Sequence, residues 1–397
     1  MLIREHLHLS YCTNIHPGEN WKITFDHLQE NVPAIKQHLS PNGNFGLGLR
    51  LSNTASEELG LSENLEKFKT WLDTNGIYVF TMNGFPYGNF HHERVKDKVH
   101  TPDWTTKERL EYTKRLFKQL VFLLPPGISG GISTSPISYK HWHGSDQERK
   151  EALRLGADHM AQIAVFLYEL ERETGKYLHL DIEPEPDGLL ENTKDVLSFF
   201  NKHLVEAAHQ AFAGRAMDAS TVASLLKKYI NLCYDVCHYS LAYEDPKTTF
   251  AALQKNGIRV GKIQVSAALK IVWNSAAIDE VWEMLSEFDE PTYLHQVTEV
   301  KGNGVITYPD LPDVLQRHPK FSELRAHFHV PIFLKEYGYL QSTQEDILKV
   351  VAHLREYPTT AHLEVETYTW EVLPPELKLD IKESIVRELH WLKEKLV

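Results

Sequence analysis

The sequence of 397 residues predicts a mixed α/β fold, a single (β/α)8 TIM barrel with long insertions after strands 3 and 6. Eight short apolar segments have the pattern of buried parallel strands, and helical patterns lie between them. No stretch rich in Pro, Gly or Ser separates the chain into parts. The alternative is two packed α/β domains. We predict one barrel domain over residues 1–397, because the strand count fits a closed barrel.

Each strand candidate is rich in Leu, Ile, Val or aromatic residues and is bounded by turn residues. In chain order the candidates are Leu7–Thr13, Phe45–Leu51, Ile77–Thr81, Leu178–Glu183, Ile230–Asp235, Arg259–Val265, Ala326–Phe333 and His362–Glu366. A barrel needs only about 250 residues. The surplus is predicted to lie in insertions over the C-terminal mouth, at about residues 82–177 and 266–325.

Helix ends are marked by capping signals, in which a polar side chain satisfies free backbone N–H groups. The predicted features are a capping box at Ser145–Glu148, a second at Ser342–Glu345, Asp245 as N-cap before Pro246, helices over Arg149–Glu173 and Pro375–Lys395, and a hairpin joining Tyr293–Val300 to Val305–Tyr308.

The composition excludes several classes of protein. Lys and Arg number 42 against 54 Asp and Glu, a formal charge of −12, which argues against a nucleic-acid partner. No apolar run approaches the roughly 18 residues of a membrane-spanning helix, and the polar start does not resemble a signal peptide. Three cysteines suit a reducing compartment. We therefore expect a cytoplasmic protein with a small-molecule substrate, and leave open a homo-oligomer.

Acidic residues stand at the ends of nearly apolar strands, where an unpaired charge is costly. Glu183, Asp235 and Glu366 each occupy such a position. In a barrel, the C-terminal strand ends converge on one mouth. Three carboxylates there would suit a divalent ion such as Mn, Co, Mg or Zn. The alternative for each carboxylate is a separate ion pair or helix cap.

These strand ends resemble the xylose-isomerase-like barrels, which include sugar-phosphate isomerases and epimerases and the family-2 apurinic endonucleases. The matching residues are Glu183-Pro184, Asp235-Val236-Cys237-His238 and Glu366. The resemblance implies Glu183, Asp235 and Glu366 as metal ligands. Isomerases of this superfamily usually supply a fourth ligand, His, from the next strand, where this chain has Gln264. Three alternatives follow: Gln264 coordinates through its carbonyl oxygen, His295, His327 or His329 replaces it, or the site holds no metal.

Longer motifs resemble the EboE "metabolite traffic" proteins, bacterial members of the same superfamily. The segments are Leu9–Glu19 (LSYCTNIHPGE), Asn83–Gly88 (NGFPYG), Pro102–Trp104 (PDW) and Glu364–Trp370 (EVETYTW). The family's clusters also contain a prenyltransferase-like membrane protein and a sugar-phosphate-cyclase-like enzyme. This resemblance implies a role in a secondary-metabolite pathway.

The leading hypothesis is a metal-dependent isomerase or epimerase of a sugar, sugar phosphate or cyclitol-like polyol, acting through an enediolate. Its catalytic candidates are Glu183, Glu366 and His238, and its substrate-binding candidates are Asn14, His16, Trp104, Glu185, Trp370 and His329. A metal-dependent hydrolase is the first alternative, because His6-Leu7-His8 resembles the His-x-His of amidohydrolase barrels. A non-catalytic metabolite-binding barrel is the second.

Overall fold

The computed structural model describes residues 1–88, 96–302, 304–368 and 380–397. Its strands are β1 (Leu2–Arg4), β2 (Leu7–Tyr11), β3 (Phe45–Arg50), β4 (Ile77–Asn83), β5 (Gly130–Thr134), β6 (Leu178–Ile182), β7 (Ile230–Asp235), β8 (Val260–Val265), β9 (Ala267–Val272), β10 (Val297–Lys301), β11 (Gly304–Tyr308), β12 (Glu323–Val330), β13 (Glu336–Tyr337), β14 (Leu340–Ser342) and β15 (His362–Val365).

The α-helices alternate with these strands through most of the described chain. They are α1 (Trp21–Leu39), α2 (Asn53–Leu59), α3 (Ser62–Asn75), α4 (Lys107–Leu123), α5 (Asp146–Thr174), α6 (Thr193–Ser198), α7 (Leu204–Ala211), α8 (Ala219–Tyr229), α9 (Val236–Leu241), α10 (Pro246–Lys255), α11 (Ile278–Ser286), α12 (Leu311–Arg317), α13 (Gln344–Glu356) and α14 (Ile381–Leu396). None of those helices has both the length and the apolar composition needed to cross a bilayer.

Eight parallel strands form the barrel, in the order β2-β3-β4-β5-β6-β7-β8-β15. The ring closes between β15 and β2 by a parallel ladder, and between β2 and β3 by a backbone bridge from Cys12 to Gly48. Ser10 strengthens the second seam, since its Oγ donates to Gly46 O (3.0 Å) and accepts from Gly48 N (2.7 Å). The predicted α/β barrel is therefore confirmed.

Two strand predictions were wrong. The fourth barrel strand is β5, which lies inside the segment 82–177 predicted as an insertion. It begins Gly130-Gly131, and glycine weakens a strand signal. Glycine is required at position 131 because a Cβ there would lie 2.5 Å from His179 Cε1. The predicted strand Ala326–Phe333 is not in the barrel, because β12 belongs to a second sheet.

The second sheet is antiparallel and has the strand order β11-β10-β12-β9-β14-β13. All six strands lie between β8 and β15 in the chain, so the second long insertion follows the seventh barrel strand rather than the sixth. The predicted hairpin is present as β10 and β11, with Lys301 paired to Gly304. The assignment of residues 1–397 to one domain stays a prediction.

The capping predictions had mixed outcomes. The Ser145–Glu148 capping box is confirmed at the start of α5, and Asp245 caps α10 with Pro246 in its first turn. The Ser342–Glu345 box was wrong. Thr343 occupies the N-cap of α13, but its Oγ1 accepts from Ala268 N of β9 (2.9 Å) and therefore does not cap the helix. The predicted last helix begins at 381 within the described residues.

The barrel interior is polar along much of its axis, although apolar residues surround it. Lys262 Nζ of β8 donates to Glu364 Oε1 of β15 over 2.7 Å, and neither side chain is exposed to solvent. Below this pair, His179 Nδ1 lies 2.7 Å from Asp181 Oδ1. Gly48 leaves room for Glu364, because a Cβ there would lie 1.7 Å from its Oε2. Charged side chains therefore fill a space that apolar residues usually occupy in this fold.

Candidate metal centre

Three strand ends bring carboxylates together at the barrel mouth. Asp235 is the last residue of β7, while Glu183 and Glu366 directly follow β6 and β15. Glu183 N donates to Thr134 O (2.9 Å) and Glu366 N donates to Val265 O (3.2 Å), so both still belong to the barrel backbone. Each of the three side chains is buried and offers an oxygen within 4.8 Å of the other two. The structure thus shows the predicted convergence, while the role of these residues as ligands stays a prediction.

Hydrogen bonds occupy one carboxylate oxygen of Asp235 and one of Glu366. Asp235 Oδ1 accepts from Ser266 Oγ (2.7 Å) and from His238 N (3.1 Å). Glu366 Oε1 accepts from Asn14 Nδ2 (2.7 Å) and from Asn83 Nδ2 (3.0 Å). Among the described residues, Asp235 Oδ2 and Glu183 Oε2 have no hydrogen-bond donor.

Buried carboxylate oxygens without donors are rare, because they lose their hydration without compensation. A divalent cation would compensate them, and hard cations prefer oxygen ligands of this kind. The donor set therefore fits the predicted metal ion.

The carboxyl groups of Glu183 and Glu366 resist ionisation in this environment. Burial, followed by the charges of Asp235 and Glu364, raises the pKa of Glu366 to about 8. Burial and the charges of Glu366 and Asp235 raise the pKa of Glu183 well above its usual value. Both shifts have the causes expected for like charges packed in a low dielectric. A bound cation would reverse them by favouring the ionised forms.

Gln264 lies at the same level on the neighbouring strand, paired in register with Asp235. Its side chain is fully buried, and neither its Oε1 nor its Nε2 has a hydrogen-bond partner among the described residues. Its assignment as a fourth ligand remains a prediction that this environment permits. Lys262, two residues earlier, is neutralised by Glu364 and is therefore not a free anion-binding group.

A second group of imidazoles adjoins the three carboxylates. His238 Nε2 lies 3.1 Å from His327 Nε2, and both rings are buried. These two histidines and Glu185 each offer a ligand atom within 4.8 Å of the others, as do Asp235, His238 and His329. Burial, followed by the neighbouring imidazoles, lowers the pKa of His238 and of His327 well below the usual value. Neutral imidazole is the form that binds metal ions.

A cavity that is partly open to solvent lies above these groups, and the empty space in and over it, open solvent included, amounts to about 640 Å³. Its walls come from the loops that follow the barrel strands and from the second sheet. The lining residues are Asn14, Asn83, Phe85, Pro86, Lys96, Val99, His100, Glu183, Glu185, His238, Tyr293, Leu294, Gln296, His327, His329, Glu366 and Tyr368. Residues from both segments predicted to overhang the mouth thus reach the cavity.

Four of the six predicted substrate-binding residues can be placed by the described structure either at the cavity wall or close behind it. Asn14, Glu185 and His329 line the cavity. His16 does not line it, and its Nε2 lies 3.1 Å from Tyr11 Oη.

The remaining two predicted residues lie elsewhere. Trp104 is fully buried, with its Nε1 donating to Thr134 Oγ1 (2.9 Å), and does not line the cavity. An indole that is enclosed by protein cannot stack on a substrate, which speaks against that assignment. Trp370 falls outside the described residues.

Several cavity-lining residues were not among the predicted site residues, and three of these are His100, Asn83 and Gln296. His100 Nε2 lies 3.0 Å from Glu185 Oε1. Asn83 ends β4 and donates to Glu366, and Gln296 precedes β10. A polar residue at the end of an apolar strand was the available signal for Asn83. His100 and Gln296 lie in insertions, where nothing in the sequence indicates proximity to the mouth.

Comparisons with known proteins extend only to solved structures, since no family model and no curated protein matches the chain. A zinc-bound IolI protein is 11% identical, with 98% of each chain covered and a TM-score of 0.49. A magnesium complex of a xylose isomerase-like TIM barrel protein from Mycobacterium smegmatis is 10% identical, covering 100% of this chain and 98% of the other, with a TM-score of 0.49. The probable 3-DHS dehydratase AsbF from Bacillus anthracis is 14% identical over 97% and 98% of the chains, with a TM-score of 0.43.

The strand order and the mouth of this chain define its class by themselves. It is an eight-stranded parallel α/β barrel with a candidate divalent-metal centre at the C-terminal strand ends. The resemblance to the EboE family stays a prediction from the sequence motifs.

Proposed function

We propose that this protein is a metal-dependent isomerase or epimerase acting on a sugar, a sugar phosphate or a cyclitol-like polyol. The observation that carries the proposal is the buried cluster of Glu183, Asp235 and Glu366, in which two oxygens have no donor among the described residues. Such a cluster supplies both a place for a divalent ion and carboxyl groups able to move protons. The motif resemblance to EboE proteins supports a place in a secondary-metabolite pathway.

Glu183, Asp235 and Glu366 would hold the ion, with Gln264 as the fourth ligand. When bound, the ion would polarise a substrate carbonyl and acidify the neighbouring C–H bond.

Glu183 and Glu366 are the proposed acid and base. One carboxylate removes the proton from carbon and the other delivers a proton to the adjacent atom, which gives an enediolate between the two steps. Asp235 is held by Ser266 and by the His238 backbone, so it acts as a fixed ligand.

The cavity wall would bind the rest of the substrate. Asn14, Glu185 and His329 offer polar atoms for hydroxyl groups, and Tyr293 and Tyr368 offer ring faces. His238 binds a substrate oxygen or, together with His327 and Glu185, a second divalent ion. Sugars and polyols present adjacent oxygens that suit both kinds of contact.

Solvent deuterium tests the reaction directly. The purified protein, loaded with Mn, Co, Mg or Zn, is incubated with a panel of ketoses and polyols in deuterated buffer. The proposal expects deuterium at the reacting carbon with at least one substrate. The Glu183→Gln variant should lose this exchange while the exposed control Glu151→Gln keeps it. Absence of exchange with every substrate and metal would contradict the proposal.

Elemental analysis tests the metal centre independently of the substrate. The wild-type protein should retain a stoichiometric divalent ion, and the Glu183→Gln, Asp235→Asn double variant should lose it. The matched control is Glu151→Gln, Asp158→Asn on the exposed face of α5. A metal-free wild-type protein that still binds polyols would instead indicate the metabolite-binding alternative.

The hydrolase alternative has no structural support from His8, which lies at the opposite end of β2 with its Nδ1 2.7 Å from Tyr78 Oη.

A further inference from the structure

Two histidines face each other across the cavity with their Nε2 atoms 3.1 Å apart. His238 belongs to α9, which directly follows a barrel strand, while His327 belongs to β12 of the second sheet. Both rings are buried, so water does not determine which nitrogen of each ring carries the proton. The hydrogen bonds of the two Nδ1 atoms determine it instead.

A backbone carbonyl fixes the tautomer of the His238 ring. His238 Nδ1 lies 2.9 Å from Pro184 O. A carbonyl oxygen only accepts hydrogen bonds, so Nδ1 must carry the hydrogen. In the neutral ring, Nε2 then holds a lone pair directed toward His327.

A glutamine side chain fixes the tautomer of the His327 ring. Gln296 Nε2 donates to Pro186 O (3.1 Å), so the amide orientation is set by an atom that cannot donate. Gln296 Oε1 therefore faces His327 Nδ1 at 2.8 Å and accepts its hydrogen. The Nε2 atom of His327 also holds a lone pair, and the two lone pairs point at each other.

We propose that Gln296 is a positioning residue that fixes the tautomer of His327 and thereby keeps the His238–His327 pair open to an electron-pair acceptor. Without the Gln296 acceptor, His327 would carry its hydrogen on Nε2 and donate it to His238. The two rings would then satisfy each other by an ordinary N–H···N hydrogen bond and be unavailable to any ligand. The inference rests on the proposed function for the identity of the acceptor, a divalent ion.

The second sheet holds Gln296 in this role. Gln296 O also accepts from His327 N (2.8 Å), so backbone and side chain bind the same histidine. The adjoining residues pair in the ladder between β10 and β12, Val297 with Ala326. Gln296 is 2% exposed, so its amide is largely shielded from bulk water. The insertion therefore does more than cover the mouth, because it sets the hydrogen positions of a group in the cavity.

The tautomers are measured by long-range ¹H–¹⁵N spectra of histidine-labelled protein after chelation, at a pH above the usual range of imidazole. The wild type should show Nδ1–H tautomers for both His238 and His327. Gln296→Met, which keeps the side-chain volume and removes the acceptor, should move His327 to the Nε2–H tautomer. Gln296→Glu should restore Nδ1–H, because its carboxylate also accepts. Gln147→Met, at an exposed position, is the control. An Nε2–H tautomer of His327 in the wild type, or no change in Gln296→Met, would overturn the inference.

Zinc binding gives a second readout. Loss of a residue that orients a ligand typically weakens metal affinity by about 10–100-fold, and we expect this change in Gln296→Met but not in Gln296→Glu. Equal zinc affinity in all three proteins would also count against the inference. Failure of the proposed function is distinguishable, since it would leave the tautomer change in place while deuterium exchange remained absent.

Discussion

In the protein freed of divalent ions, the contribution of Glu366 to folded-state stability should fall as the pH rises from about 5 to 8, the interval between its ordinary and its raised pKa. Glu366 binds its proton more tightly in the folded chain than in the unfolded one. Within that interval the folded state therefore holds more protons, and stability falls as pH rises. This contribution is fully present below the ordinary pKa and is lost as the pH passes the raised one.

The pKa of Glu366 rises from 4.5 to about 8, a difference of 8 − 4.5 = 3.5 units. At ~1.36 kcal/mol per unit, complete ionisation would cost about 5 kcal/mol. Each pH unit within the interval would then lower the free energy of unfolding by about 1.4 kcal/mol. For a chain of 397 residues with ~2.1 cal/mol/K per residue, this corresponds to about 2 °C in Tm per pH unit.

The assay is calorimetry or urea unfolding of EDTA-treated protein across this pH range. Glu366→Gln should change the slope, and Glu183→Gln, Glu366→Gln should change it further in the same direction, because both carboxyl groups have raised pKa values. Glu63→Gln, whose side chain is 87% exposed, should leave the slope unchanged. Saturating Mn or Zn should remove the contribution of Glu183 and Glu366 to the slope in the wild type. The comparison of the chelated wild type with the double variant isolates these two groups, and an unchanged slope in the double variant would refute the reasoning.

Two further predictions concern the barrel interior. Lys262→Met would leave Glu364 as a buried charge without its partner and should cost about 3–5 kcal/mol in urea unfolding, whereas Lys22→Met at a side chain 83% exposed should change stability by less than about 0.5 kcal/mol. Gly48→Ala places a Cβ 1.7 Å from Glu364 Oε2 and 2.8 Å from a backbone oxygen, so its Tm should fall well below that of Gly304→Ala, which meets no atom within 4 Å. Wild-type stability of Lys262→Met, or equal Tm values for the two glycine variants, would contradict these expectations.

Much of the barrel was predictable because parallel strands buried on both faces leave continuous apolar runs in the sequence. Seven of the eight barrel strands were found in this way. The exception, β5, begins with two glycines whose missing side chains make room for His179, Asp181 and an apolar neighbour, Leu178. A strand selected for the space it leaves to its neighbours carries little apolar signal of its own.

The strand predicted at Ala326–Phe333 was placed in the wrong sheet for a related reason. An apolar run predicts burial, but it does not say which sheet buries the strand. β12 packs between β9 and β10 with antiparallel partners, and only the long-range pairing of Ala326 with Val297 and Leu269 reveals this. Its histidines nevertheless reach the cavity, since the second sheet leans over the mouth.

In the candidate site, residues at the strand ends could be predicted from the sequence, whereas residues in the insertions could not. Glu183, Asp235 and Glu366 could be grouped because a barrel places all C-terminal strand ends together. Gln296 and His100 come from segments whose position depends on tertiary packing, which the pattern of one sequence does not encode. Trp104 is the reverse case, an aromatic residue predicted to bind substrate whose indole instead donates to Thr134 within the protein.

The ion pair inside the barrel also constrains how the chain can be assembled during synthesis. Lys262 and Glu364 are 102 positions apart, and the whole antiparallel sheet is made between them. A nascent chain that has emerged only as far as that sheet has His327 and His329, but lacks the counter-ion for Lys262 and the Glu366 carboxylate. Until the last strand leaves the ribosome, Lys262 must remain hydrated, so the barrel cannot close around a dry interior. Ring closure and completion of the carboxylate cluster therefore both depend on the last strand, β15.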